Sequence, residues 1–424
     1  MDTFVIDGPV RLEGRVRVSG AKNAVLPVMT AALLVEGVST LQRVPRLRDT
    51  STMAHLLRVL GARVEHDGNL MRIDTSSYDY WEAPYELVKT MRASVYALGP
   101  LLARRGKARV SLPGGCAWGP RPVDLHLMGM ERLGAKITLS HGYVHAEAPN
   151  GLRGGEIFFE IPSVGATINV MMAAVLAKGR TTLVNAAREP EVADIAAALN
   201  RAGARIEGAG GYAIQIDGVP ELRPLEHATM ADRIEAGTFL IAGLMTGGDV
   251  TVEACDPTHL QALLEKLQQM GAEVEAGPDW VRVRRVDGVR PVDVTTAPFP
   301  GFATDLQAQI MAGLAIADGV SLVTETIYPD RFTHVAELRR LGAQIRLDGN
   351  IAVVTGTAHL SGAPVMATDL RASAALILSA FAAEGRTEIS RVYHIDRGYE
   401  SIEEKFAALG APIERRRDRD DPEA

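Results

Sequence analysis

The chain has 424 residues, with 45 lysines and arginines against 52 aspartates and glutamates, a net charge of −7. Apolar residues make up 47% and charged residues 23%, the usage of folded domains, which excludes a disordered chain. The acid excess excludes a bulk polyanion binder, so any anion must be held by a local cluster, and two cysteines, Cys116 and Cys255, are too few for a disulfide framework and fit a reducing compartment.

The opening MDTFVIDGPVRLEG has no basic stretch followed by an apolar one, so no signal peptide is expected. A first strand is predicted before Lys22. From Lys22 onward one unit recurs. NAVLPVMTAALLVEG is a helix-length segment, apolar nearly all round, and so should be buried on every side. Gly37 is its predicted left-handed stop. The β-branched strand GVSTLQRV follows, then an amphipathic helix ending in HLLRVLGARV, stopped by Gly61 before Ala62. A strand–turn–strand, RVEHDGNLMRI, closes the unit. The same order returns with stop glycines Gly106, Gly179, Gly248, Gly319 and Gly385. Its Gly-Ala pairs return at Gly134, Gly203, Gly271, Gly342 and Gly410, at intervals of 73, 69, 68, 71 and 68 residues. The most apolar run, Ala372 to Ala383, is well short of the roughly 18 residues of a membrane span. The predicted location is therefore the cytoplasm.

Helices buried on all sides cannot lie outside a sheet. The expected fold class is α/β (α+β): a two-domain inside-out α/β barrel of six repeats of about 70 residues, three per domain, with helices inside and sheets facing solvent. The first strand could complete the sheet left open by the sixth unit. The chain then crosses between domains near Ala21 and Thr229, giving one domain of 1–21 and 230–418, a second of 22–229, and a charged tail at 419–424.

Function is expected where the copies differ. The second unit alone is lengthened, by the Pro/Gly-rich loop Pro113 to Pro122, which carries Cys116 close to Arg121. A lone cysteine is more often buried and inert, but this loop context favours a thiolate or proton donor. Cys255, in VEACDP, reads as structural. The second difference is charge where each buried helix begins: Lys22-Asn23, Arg92, Ser163, Asp232-Arg233, Thr304-Asp305, and Asp369 with Arg371. First-turn capping explains Asp232. Six helix starts aimed at one interface would instead make a cleft lined with free N–H groups, an anion site. Arg121, Arg331 in YPDRF and Arg397 in HIDRGYE lie at strand-to-helix turns, and guanidinium forks suit phosphate and carboxylate. There is no P-loop, no GxGxxG after a strand, no HExxH and no paired CxxC, and His126, His334 and His394 read as packing residues, so neither metal nor cofactor is indicated.

Segments along the chain resemble one family. They are KNAVLP at 22, TMRASVYALGPLLA at 90, PGGCAWGPRPVDLH at 113, SVGATINVMMAAVLA at 163, DRIEAGTFL at 232, TDLQAQ at 304, TETIYPDRFTHVAELRRLGA at 324, TDLRASAALILSA at 368 and HIDRGYESIEEKFAALGA at 394. From the first strand to about Arg415 they are similar to the UDP-N-acetylglucosamine 1-carboxyvinyltransferases. The resemblance implies transfer of the enolpyruvyl group of phosphoenolpyruvate to the 3-hydroxyl of UDP-N-acetylglucosamine, through a tetrahedral ketal that loses phosphate, as the first committed step of peptidoglycan synthesis. It implies a catalytic set of Cys116, Asp305, Lys22, Arg397 and Asp369. Lys22 and Asn23 would bind phosphoenolpyruvate, with Arg121 and Arg397 on its phosphate or carboxylate. Arg92, Arg121, Pro122, Val123, Asp124, Leu125, Ser163, Val164, Gly165 and Ile327 would contact the UDP-sugar. Asp305 would be the general base beside the hydroxyl. Cys116 would protonate C3 and can also bond covalently to the substrate. Asp369, Arg371 and Arg331 would steady developing charge. Trp118 and Pro120 depart from the family pattern. The partners are then two small molecules, with no nucleic acid and no membrane, and a monomer is the default. Two alternatives stay open: 3-phosphoshikimate 1-carboxyvinyltransferase on the same fold, which the cysteine loop and HIDRGYE segment fit less well, and a non-catalytic phosphometabolite-binding protein. A ring encircling nucleic acid would need basic inner helices, and these are apolar.

Overall fold

Six helices carry the apolar segments: α1 Lys22–Ala31, α2 Leu98–Arg105, α3 Val164–Ala174, α4 Arg233–Met245, α5 Gln307–Leu314 and α6 Leu370–Ala382. The computed structural model describes residues 2–89, 91–112 and 123–417. Every residue of α5 is buried, and in α4 every residue but Arg233. Helices of this kind have no solvent face, so each must be wrapped by other elements. The chain divides into two units, Gly20–Met230 and a second made of Met1–Ser19 with Ala231–Ala424. Within the first, α1, α2 and α3 form the centre, and within the second, α4, α5 and α6 pack on one another.

Three sheets surround the helices of each unit, and they share one plan. In the first repeat Arg63–Asp67 and Leu70–Asp74 form the predicted hairpin, and Val38–Gln42 pairs antiparallel with Leu70–Asp74. Glu226–Ala228, from the end of the third repeat, runs parallel beside Val38–Gln42 and so closes the ring of three repeats. Leu70–Asp74 buries Met71 and Ile73 and exposes Arg72 between them, the two-residue period of a sheet with one face in the core and one in water.

Two strands, not one, precede Lys22, and they serve different repeats. β1 (Thr3–Gly8) lies antiparallel between Ala383–Ser390 and Ile413–Arg416, completing the sheet of the sixth repeat. β2 (Glu13–Arg17) runs parallel to Asp249–Glu253 in the sheet of the fourth. β2 buries only Val16, so it carries almost no apolar pattern by which to be read.

The six Gly-Ala glycines all stop their helices as predicted, with φ between 91° and 108°. The other set behaves differently. Only Gly106, at φ 67°, directly caps an inner helix. Helix α1 tightens into a 3-10 turn, Ala32–Leu34, before Gly37, and α3 ends at Ala174, five residues ahead of Gly179. In the fourth repeat the left-handed residue is Gly247 and not Gly248. Gly248 is needed for another reason: a Cβ there would lie 2.1 Å from the Leu12 carbonyl oxygen.

Candidate functional site

In the unit of β1 and β2, the predicted site residues gather where α4, α5 and α6 begin. Asp305 lies in a 3-10 turn, Thr304–Leu306, that leads into α5. Its Oδ1 is 2.8 Å from Nη1 of Arg331 and its Oδ2 is 2.7 Å from Nη2 of Arg371. Burial alone would raise this carboxyl, but the two guanidiniums outweigh it and hold Asp305 well below the usual carboxylate range. Arg371, 5% exposed, responds in the opposite sense: burial disfavours its charge, and Asp305 and Tyr399 more than restore it. Arg371 Nη1 also donates to the Tyr399 hydroxyl at 3.4 Å, as does Gln309 Nε2 at 3.3 Å. Tyr399 then shares a 2.8 Å hydrogen bond with Thr238, so one hydroxyl joins α4, α5 and α6.

Asp369 is the N-cap of α6: its Oδ1 accepts from the amides of Arg371 at 2.8 Å and Ala372 at 3.1 Å. Its Oδ2 accepts from the hydroxyls of Thr333 and Thr368, both at 3.2 Å. Asp232 caps α4 in the same way, through the amides of Ile234 and Glu235. Capping therefore accounts for both, where sequence alone suggested it only for Asp232. Arg397 ends the 3-10 turn Val392–Arg397, two residues before Tyr399, and is half-buried. Ile327 presents its amide to Glu325 Oε1 at 2.8 Å.

In the unit Gly20–Met230, Lys22 opens α1 and its ammonium lies 2.7 Å from Oδ2 of the buried Asp49. Asn23, beside it, is exposed. Arg92 opens the 3-10 turn Arg92–Ala97 ahead of α2, against which α1 packs. Ser163 caps α3 by accepting from the Ala166 amide at 3.3 Å. Val123 precedes the helix Asp124–Arg132, whose first residue is exposed. Asn169 binds these segments together: its Nδ2 donates to the Val95 carbonyl at 2.9 Å and lies 3.0 Å from His126 Nδ1, while its Oδ1 accepts from the Gly99 amide at 2.8 Å. The Gly99 bond fixes which end of the amide is oxygen, so His126 Nδ1 accepts and its proton sits on Nε2. Burial pushes the His126 imidazole down to about 4, which keeps it neutral. Arg92, Val123 to Leu125 and Ser163 to Gly165 are thus carried by three elements that meet at one buried amide.

Cys116, Arg121, Pro122 and the variant positions Trp118 and Pro120 lie outside the described residues, as do residues 419–424. Cys255 is buried, donates weakly to the Val252 carbonyl at 3.6 Å, and its thiol is pushed up to about 11 by burial, so it has no thiolate to offer. Among the described residues no group of three or more His, Cys, Asp or Glu is arranged to hold a metal ion, and no helix is long and apolar enough to cross a membrane. Sequence reasoning missed Asp49, Asn169, Tyr399 and Glu325, each of which supports a predicted residue.

Residues 6–406 match a family model described as EPSP synthase (3-phosphoshikimate 1-carboxyvinyltransferase). The chain is 58% identical over 419 residues to a UDP-N-acetylglucosamine 1-carboxyvinyltransferase of Anaeromyxobacter sp. (strain Fw109-5), covering 98% of this chain and 99% of that protein. It is 55% identical over 415 residues to the protein of the same name from Trichlorobacter lovleyi, again covering 98% and 99%. Among solved structures, the enolpyruvyl transferase NikO from Streptomyces tendae superimposes with a TM-score of 0.88 at 29% identity, over 98% of both chains. Similarity of this extent, over 98% of the chain, shows the family, and the chain belongs to the UDP-N-acetylglucosamine 1-carboxyvinyltransferase family of enolpyruvyl transferases.

Proposed function

We infer that the protein transfers the enolpyruvyl group of phosphoenolpyruvate to the 3-hydroxyl of UDP-N-acetylglucosamine and releases phosphate. The observation that carries this is full-length identity of 58% to an enzyme of that name, together with a carboxylate held ionised between two buried arginines. The enol phosphate carbon C2 of phosphoenolpyruvate is a weak electrophile until its methylene is protonated. Cys116 supplies that proton to C3, and C2 becomes cationic. The sugar hydroxyl then adds to C2, and as the C–O bond forms its proton becomes strongly acidic. A base of low basicity suffices at that moment, and Asp305, depressed by Arg331 and Arg371, is such a base. The ketal expels phosphate as its C2–O bond breaks, a proton leaves C3, and an enol ether is formed on the sugar.

Lys22, Asn23, Arg121 and Arg397 take the phosphate and carboxylate of phosphoenolpyruvate. Arg92, Arg121 to Leu125, Ser163 to Gly165 and Ile327 take the nucleotide sugar. Arg331 and Arg371 compensate the charge that moves from phosphoenolpyruvate to leaving phosphate, and Asp369 holds Arg371 by fixing the first turn of α6. The protein so read is a cytoplasmic monomer that supplies peptidoglycan precursors. The test is phosphate release with phosphoenolpyruvate and either UDP-N-acetylglucosamine or 3-phosphoshikimate as acceptor. Release with the UDP-sugar, mostly lost in Cys116→Ala, is expected. Release only with 3-phosphoshikimate would transfer the assignment to the sister activity, and full release from Cys116→Ala would remove the thiol from the mechanism.

A further inference from the structure

Glu325 is fully buried directly after the strand Val320–Thr324, and the reaction as derived gives it no part. Its oxygens take four donors. Oε1 accepts from the Thr296 hydroxyl at 2.8 Å and from the amides of Ile327 at 2.8 Å and Tyr328 at 3.0 Å. Oε2 accepts from the Thr304 hydroxyl at 2.8 Å. The backbone is pinned as well: the Glu325 amide donates to the Asn350 carbonyl at 2.9 Å, and Asn350 Nδ2 donates back to the Glu325 carbonyl at 3.0 Å. Burying a carboxylate costs free energy that such hydrogen bonds offset, and an apolar side chain here would leave all four donors unpaired.

What a carboxylate alone provides is direction. It only accepts, so the Thr304 hydroxyl must donate to it and turn its lone pair outward. Arg331 Nη1 donates into that lone pair at 3.0 Å, and the same Nη1 lies 2.8 Å from Oδ1 of Asp305, the residue next to Thr304. A line of fixed polarity therefore runs from Glu325 through Thr304 and Arg331 to Asp305. A glutamine at 325 would have to turn its NH2 toward either Thr304 or the pair of amides. In the first case the new NH2 donates to the Thr304 hydroxyl and competes with Arg331 for its lone pairs. In the second the Ile327 and Tyr328 amides lose their acceptor.

We propose that Glu325 is a positioning residue for enolpyruvyl transfer, setting Arg331 against Asp305 through the Thr304 hydroxyl and setting the Ile327 turn through its backbone amides. This rests on the enolpyruvyl-transfer reading, in which Asp305 and Ile327 meet the nucleotide sugar. A residue that merely staples a turn would affect stability alone. A positioning residue affects turnover through the hydroxyl even when the turn is untouched.

The test is phosphate-release kinetics on the full chain with phosphoenolpyruvate and UDP-N-acetylglucosamine, for wild type, Glu325→Gln, Thr304→Val, Thr304→Ser and the Glu325→Gln/Thr304→Val double variant, each with a thermal melt. Thr304→Val is expected to lower kcat by up to about 100-fold, far more than the modest fall in its melt from the unpaired Glu325 Oε2 explains, and Thr304→Ser, which keeps the hydroxyl, to restore both. Glu325→Gln should lower kcat similarly and also raise KM for the UDP-sugar. The double variant should lose little more than the worse single one, because both act through one chain of contacts. A Thr304→Val enzyme with wild-type kcat, losses that multiply in the double variant, or losses that follow the melting temperature would overturn the proposal. If Glu325→Gln does not fold, the Thr304→Val and Thr304→Ser pair decides alone. Wild-type turnover with a silent Thr304→Val would remove Glu325 only, whereas no wild-type turnover would remove the enolpyruvyl-transfer reading and this proposal with it.

Discussion

Asp305 and His126 are both enclosed, and their surroundings act on charge in opposite senses. Two guanidiniums keep Asp305 ionised, whereas His126, itself 7% exposed and bonded to the Asn169 amide, is kept neutral because burial outweighs the pull of Asp124. His126 is depressed from 6.5 to about 4 in the folded state, so the unfolded chain binds the proton more readily. Its contribution to stability is complete above the ordinary histidine value and is lost as pH falls from about 6.5 toward 4, up to about 3 kcal/mol in all. Glu235 has the reverse sign. Burial, only partly countered by Lys405, raises it to about 6, so its contribution is present in acid and fades as pH rises through 6. We expect thermal melts between pH 7 and 4.5 to show a steep acid loss that flattens in His126→Gln, and an unchanged slope in that variant would assign the acid loss elsewhere. At this scale the sequence marked Asp305 and Arg397 by charge at helix starts and turns that recur across the repeats, whereas Cys116, marked by the lengthened second repeat, lies outside the described residues. Their supports were not legible. Arg371 meets Asp305 across 66 positions and Tyr399 across 28, and no local pattern encodes such pairings.

Helix Asp124–Arg132 and α3 approach so closely that a Cβ on Gly129 would lie 2.3 Å from Cγ2 of Val170. Gly129→Ala should therefore push the helices apart, costing about 1–3 kcal/mol. The shift would carry Val123 to Leu125 with it, so KM for the UDP-sugar should rise while KM for phosphoenolpyruvate holds. Addition of Val170→Ala should recover both the melt and the KM. An unaltered melt in Gly129→Ala would mean that the pair has slack. Among the elements, the buried helices and the hairpins were readable because each repeats six times with the same periodicity. The end of each inner helix was not. A glycine in sequence marks a turn, but whether it caps the helix, as Gly106 does, or follows a 3-10 turn, as Gly37 does, depends on the sheet it enters. Gly248 was read as a stop and is instead fixed by contact with Leu12, 236 positions earlier in the chain.

At the scale of the whole molecule, β1 and β2 make the two units unequal in what they need. All strands of the unit Gly20–Met230 come from within it. The other unit takes Phe4 and Ile6 into its core at 0% exposure, with Leu12, Val16 and Val18 beside them. A fragment of residues 20–230 should melt cooperatively by itself. A fragment of 231–417 should not, until a peptide of residues 1–19 is added. Cooperative melting of 231–417 alone would show that the two borrowed strands are dispensable.

The same borrowing sets a waiting time during synthesis. β1 is made long before its neighbours Ala383–Ser390 and Ile413–Arg416. At about 5–20 residues per second, residues 20–230 alone occupy the ribosome for roughly 10–40 s, and the partner strands take longer still. Through that interval Phe4, Val5 and Ile6 have no sheet to join and both edges of their strand are open to other nascent chains. Crowded polysomes are thus the setting in which this architecture is most exposed to misassembly, and a factor that shields the first twenty or so residues would raise the yield of active protein.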